Sequence, residues 1–270
     1  MTLQPSRAIL FRVAFAGLAL SMSAACGRGE PSTDAERLAR GRELVQQMSD
    51  KLGGATRLSV TTTESRDVVR LSGAKETVTG DGEYILQRPD HFHTRTAAGR
   101  NLESWYNGKV LTLAAHNEKV FGQAPMPENI NRTLDALAER YDMAMPMGDL
   151  FYAPAIKALI SDTATGGYAG TEDVGGTSCY HLAFKDIGAD FELWLPTQGD
   201  PLPKRFKVVQ KKRTGQPVID VTFKEWNLAP QTSDATFKPK LPADYEGIAM
   251  VQRAAAIKNT AAAATAPAQK

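Results

Sequence analysis

Trp105-Tyr106-Asn107-Gly108-Lys109-Val110-Leu111 is the stretch that decides the fold of this chain. Its two arms are aromatic and aliphatic, and Asn107-Gly108 between them is the dipeptide favoured where both central residues of a two-residue turn need positive φ. The stretch predicts a type I′ hairpin, and so tight a hairpin makes its strands run antiparallel. Outward from it the apolar residues keep a period of two. Leu58, Val60 and Thr62 alternate with polar neighbours, and Tyr84-Ile85-Leu86 lies between Gly82 and Pro89. His116-Asn117-Glu118 makes a second turn before Val120-Phe121. From Thr56 to Gln123 the pattern reads as about six or seven strands in an antiparallel meander.

Helical spacing brackets this meander. Thr33 with Glu36 three residues on forms a capping box, and Ala35, Leu38, Val45, Met48 and Leu52 recur along one face until Gly53-Gly54 stops the run. After Pro127, the residues Ile130, Leu134, Leu137 and Tyr141 share a face, and a second short helix is expected from about Asp149 to Ile160. Between the two lies an apolar loop broken by proline, Met143-Ala144-Met145-Pro146-Met147. Strands then resume at Tyr168 to Glu172, Ser178 to Lys185, Asp190 to Leu195, Leu202 to Lys212 and Val218 to Leu228. In Phe191-Glu192-Leu193-Trp194-Leu195, Trp194 points away from Phe191, Leu193 and Leu195, so both faces of the sheet are partly covered. No internal repeat is evident.

The first 25 residues read as an export signal. Arg7 and Arg12 precede an apolar run from Val13 to Leu20, and small residues lead to Cys26. That run is too short to serve as a permanent span. Ser23-Ala24-Ala25-Cys26 fits lipid attachment at Cys26, with Gly27 after it resembling lipoproteins forwarded to the outer membrane. Ser23 stands where a bacterial lipobox usually carries Leu, so ordinary cleavage and a soluble periplasmic protein are the alternative. Residues 26–32 read as a tether, 33–247 as one domain, and 248–270 as an alanine-rich disordered tail. The formal charge of +2 rests on Arg7 and Arg12, since residues 1–25 hold no acid. A neutral remainder offers no electrostatic footprint for nucleic acid. Cys26 and Cys179 are the two cysteines, so the fold relies on its core rather than on disulfides.

Four patterns invite a chemical reading, and each has a plainer one. His91 and His93 share a strand face as metal ligands could, but no further ligand cluster accompanies them, and exposed strand polarity is preferred. Met143, Met145 and Met147 could hold Cu(I), yet an adaptable apolar lid loop explains them more simply. Cys179 and His181 have the spacing of a nucleophile pair, although side chains two apart on a strand stand parallel; a packed thiol is preferred. Trp105, Trp194 and Trp226 either line a cavity or belong to plain core. No Gly-x-Ser-x-Gly, His-Glu-x-x-His or phosphate-cradling glycine loop occurs, so neither a catalytic residue nor a metal or cofactor is expected.

The order of elements resembles the LolA/LolB-like lipoprotein-carrier superfamily, and more narrowly a branch of predicted periplasmic proteins that forms a domain of unknown function. The likeness is carried by Arg88-Pro89-Asp90, Tyr106-Asn107-Gly108-Lys109, Leu137-Ala138-Glu139-Arg140-Tyr141, Cys179-Tyr180-His181-Leu182-Ala183-Phe184, Pro201-Leu202-Pro203-Lys204 and Trp226-Asn227-Leu228-Ala229-Pro230. The resemblance implies an α+β fold: a strongly curved antiparallel half-barrel of about eleven strands, with an N-terminal helix and a two-helix insertion over its concave face. Such a sheet leaves an apolar hollow its helices do not fill. The expected ligand is an acyl chain of a lipid or lipoprotein, held among Trp105, Phe121, Tyr141, Met145, Phe151 and Trp194. The expected role is non-catalytic binding at the periplasmic side of the outer membrane, with a stress-sensing module that grips an envelope protein as the alternative.

Overall fold

Two thirteen-residue strands, β1 (Arg57–Val69) and β2 (Lys75–Gln87), pair along their whole length and form the spine of the sheet. The computed structural model describes residues 30–70, 72–145 and 147–252. The expected export signal, Cys26, residues 27–29 of the tether, Pro146 and the tail from residue 253 onward lie outside the described residues. From β2 the meander continues through β3 (His91–Thr96), β4 (Leu102–Asn107), β5 (Val110–Ala115) and β6 (Val120–Pro125). On the other side of β1 stand β11 (Val218–Asn227), β10 (Arg205–Val209), β9 (Asp190–Pro196), β8 (Thr177–Lys185) and β7 (Thr165–Val174). A short parallel strand, β12 (Glu246–Ala249), adds to β6, giving one curved, open sheet ordered β12-β6-β5-β4-β3-β2-β1-β11-β10-β9-β8-β7.

Helices cover one face of this sheet. α1 (Asp34–Gly54) begins with the expected capping box: the Thr33 hydroxyl accepts from the Glu36 N–H, and the Glu36 carboxylate accepts from the Thr33 N–H. Its buried side is Gly41, Leu44, Val45, Met48, Ser49 and Leu52. Gly41 is there because α1 crosses β7 backbone against backbone. A Cβ at Gly41 would stand 2.7 Å from the Gly167 Cα, and Gly167 itself has φ +125°. α2 (Ile130–Tyr141) is capped by the Asn129 side chain, which accepts from the Arg132 N–H, and buries Ile130, Leu134 and Leu137.

Three expectations need correction. The Asn107-Gly108 hairpin is not type I′, because Gly108 alone has positive φ (84°). Asn107 ends its strand, and its side chain accepts from the N–H groups of Lys109 and Val110, so it braces the turn from outside. The second inserted helix is two single turns, α3 (Gly148–Phe151) and α4 (Ile156–Leu159), because Pro154 supplies no N–H to continue a helix. The tail does not begin at residue 248. Ile248 and Ala249 still pair with Gly122 and Gln123, since the edge of β6 offers a row of unpaired backbone groups.

Candidate binding cavity

Cross-strand register separates the two faces of the sheet. Leu58, Leu86, Phe92, Tyr106, Leu111 and Ala124 stand in one row on the concave side, and all six belong to the buried core. α1, α2, α3 and α4 lie over this side with Leu134, Leu137, Leu150 and Phe151 packed into the same core. Most of the hollow expected from the sequence is therefore filled by the chain itself.

Further along, the concave face turns polar. Thr62, Glu64, Thr94, Thr96 and Ser104 are buried there. The Glu64 carboxylate accepts from the hydroxyls of Tyr84, Thr62 (3.2 Å) and Thr96 (2.9 Å), and pairs with Arg66 at 2.6 Å. Gly82 makes room for it, because a Cβ there would lie 2.3 Å from a Glu64 oxygen. Burial first, then the adjacent Glu64 charge, pushes the Tyr84 hydroxyl well above its ordinary range.

Among the described residues, two openings flank the methionine segment. One, about 240 Å³, is lined by Ala144, Met145, Met147, Asp149, Phe206, Val208, Ile219 and the turn residues Gln210, Lys212 and Arg213. The other, about 180 Å³, is lined by Tyr141, Met143, Leu102, Leu113, Ala115, Phe121 and the C-terminal residues Ile248 to Val251. Tyr141 and Met143 thus wall the second opening, and Ala144, Met145 and Met147 the first. Non-glycine residues with positive φ, Asp142 (52°) and Met147 (56°), bound the segment, and Arg213 pairs with Asp142 at 3.5 Å in the open. Asp149 keeps contact with solvent through the first opening, yet the protein massed around it raises its carboxyl to about 6. Burial likewise drives the Tyr152 hydroxyl upward, helped by its bond to Asp135.

The residues expected to line one cavity separate into four places. Phe151 is core, packed on Tyr84 with ring centres 5.5 Å apart. Met145 lines the first opening, whereas Tyr141 and Phe121 line the second. Trp105 and Trp194 are on the opposite face and cannot touch a ligand held on the concave side. Trp105 neighbours Tyr106 in sequence, so the strand's period of two sends them to opposite faces; it stacks on His93 with ring centres 5.4 Å apart. Trp194 is clamped between His181 (4.5 Å) and the guanidinium of Arg205 (4.7 Å), and its indole N–H donates to Glu172. Trp226 stacks on Phe223 and donates to the Pro203 carbonyl.

The remaining motifs resolve into structural contacts. His91 faces Asp90 and Phe237, while His93 and His116 share the two oxygens of Glu103, each at 2.7 Å. Among the described residues no group of three or more His, Cys, Asp or Glu is arranged to hold a metal ion. Cys179 is fully buried and donates weakly to the Thr177 carbonyl, whereas His181 engages Glu172 and Glu192. A depression of about 680 Å³ on the face away from the helices is of mixed character, with Arg205–Asp220, Lys224 and Phe223 among its walls. Glu64 was legible in the alternation Leu58, Val60, Thr62, Glu64, which places it inward. Asp149, Lys212 and Arg213 had no such signal, because segments far apart in sequence meet only around this opening.

Residues 41–251 match the family model described as "Predicted periplasmic protein (DUF2092)". No curated protein matches the chain. Among solved structures it is similar to an uncharacterized conserved protein from Thermus thermophilus, with 13% identity over 77% of this chain and 98% of that one, at TM-score 0.45. It is also similar to a LolA superfamily protein from Nitrosomonas europaea (10% identity, 74% and 98% covered, TM-score 0.38) and to the Mycobacterium tuberculosis lipoprotein LppX (11%, 71% and 97%, TM-score 0.40). Among the described residues, no helix is long and apolar enough to cross a membrane.

Proposed function

Because the chain belongs to this family of predicted periplasmic proteins, we propose that it is an exported, non-catalytic envelope protein that holds an acyl chain between the concave sheet face and residues 141–147. The observation that carries this reading is the single apolar segment walling two apolar openings. Each opening alone is smaller than the ~300 Å³ of an ordinary small-molecule site. A chain threaded beneath the segment would occupy both, and methionines at 143, 145 and 147 adapt to such a guest.

The energetics set a length requirement. Ten buried methylenes contribute ~8 kcal/mol, while association costs ~4–15 kcal/mol. Tails much shorter than about ten carbons should therefore bind poorly. The ion pair tying the segment to the β10–β11 turn adds little, since the exposed Arg213–Asp142 pair is worth at most ~1 kcal/mol. Attachment of lipid at Cys26 would place the domain at a membrane and make it an acceptor rather than a shuttle.

The test is gentle purification of the mature domain followed by mass spectrometry of its organic extract. Lipid in near-stoichiometric amount is expected. A clean extract accompanied by one specific co-purified protein would replace this reading with partner binding. Processing that is blocked by globomycin in the native chain and altered in Cys26→Ala would establish the anchor; unaffected processing would rule it out.

A further inference from the structure

The opening at the β10–β11 turn has an apolar floor and a charged lip. Phe206, Val208 and Ile219 form the floor, with Met145 and Met147 above. At the lip, Lys212 is exposed and has no ion-pair partner among the described residues, and Arg213 is paired with Asp142 in the open. Asp149 is the acid lining the opening against these two cations. The facing lip is the β8–β9 turn. Lys211 fastens the two turns together, donating from Nζ to the Asp186 carbonyl (2.7 Å) and to the Asp190 carboxylate (2.9 Å), and the Lys212 side chain lies along Gly188. On that turn Ile187 is 72% exposed, the most exposed large apolar side chain among the described residues.

We infer that this opening receives a single-chain amphiphile with an anionic head group, its tail on Phe206, Val208 and Ile219 and its head at Lys212 and Arg213. The inference deepens the acyl-chain reading and rests on it. An apolar floor selects no head group, so the lip does. A phosphate or carboxylate there gains charge-assisted hydrogen bonds from two cations that are otherwise unpaired or paired only in solvent. A zwitterionic head, whose own ammonium offsets its phosphate and stands beside these cations, gains less. Exposed Ile187, on the turn that faces Lys212, offers an apolar contact to a lipid interface from which such a ligand would arrive.

The test titrates the mature full-length protein with two lipids of identical tail, palmitoyl lysophosphatidylglycerol and palmitoyl lysophosphatidylcholine, below their micellar range, with glycerol phosphate as a head-only competitor. The anionic lipid should bind about tenfold more tightly, the ratio should fall close to one in Lys212→Ala/Arg213→Ala, and glycerol phosphate alone should not compete. Lys212→Glu, in an exposed turn, provides the same readout should the double variant unfold. Equal affinity for the two lipids, or a ratio unchanged in these variants, overturns the head-group assignment while leaving the acyl-chain reading intact. Competition by glycerol phosphate at the same concentration makes this an anion site and removes the tail from it. Failure of both lipids to bind sinks the acyl-chain reading itself.

Discussion

Glu64 is fully buried, and the four groups around it determine what each substitution does. Removing the Tyr84 hydroxyl takes one donor from a buried carboxylate, so Tyr84→Phe should cost ~1.5–3 kcal/mol in urea unfolding. Glu64→Ala should cost more, ~3–5 kcal/mol, because it strands the Arg66 guanidinium. Asp149 behaves in the opposite sense. Its carboxyl is raised to about 6 in the fold from 3.8, so the folded state binds the proton more tightly than the unfolded chain does. The stability tied to that proton is complete below pH 3.8 and is lost as pH rises through 6. Asp149→Asn should therefore stabilise the domain at pH 7.5, by no more than ~1 kcal/mol given its solvent contact, and leave stability at pH 3.5 unchanged; thermal melts at the two pH values check this. Parity along a strand makes Glu64 legible from sequence. The expected cavity wall included Trp105 and Trp194, whereas parity with Tyr106 and with Leu193 and Leu195 sends both to the other face.

At the scale of elements, the contact between α1 and β7 is the most sensitive joint. Alanine ordinarily gains about 1 kcal/mol over glycine inside a helix. At Gly41 its methyl would press on the Gly167 backbone and the Phe184 ring, both within 3 Å. Gly41→Ala should therefore destabilise by ~1–3 kcal/mol despite its propensity, as denaturant midpoints will show; a neutral or stabilising result would mean that the helix shifts freely on the strand. The amphipathic stripe of α1 was readable, but Gly41 was not, since nothing in a period of 3.6 announces a close backbone crossing. β12 was also hidden. Four exposed residues before an alanine-rich stretch carry no strand signal, and only the unpaired edge of β6 draws them into the ladder.

On the scale of the whole molecule, the two openings flank one segment, which predicts how binding is transmitted. Addition of a palmitoyl lysolipid should protect backbone amides of both 141–147 and 248–251 from hydrogen exchange while leaving the α1–β7 joint unchanged. Protection confined to one segment would mean that the openings act separately. The chain's own residues determined its antiparallel meander, its capped helices and which side of each strand is apolar, because these follow from local periodicity, turn chemistry and caps. They did not determine how much of the concavity stays empty. That depends on how α1, α2, α3 and α4 settle against a curved sheet, a sum of packing contacts between positions far apart in the chain. The same long-range packing sets Asp149, Lys212 and Arg213 around one opening, and so only the tertiary structure decided that one expected hollow became small openings with a basic lip.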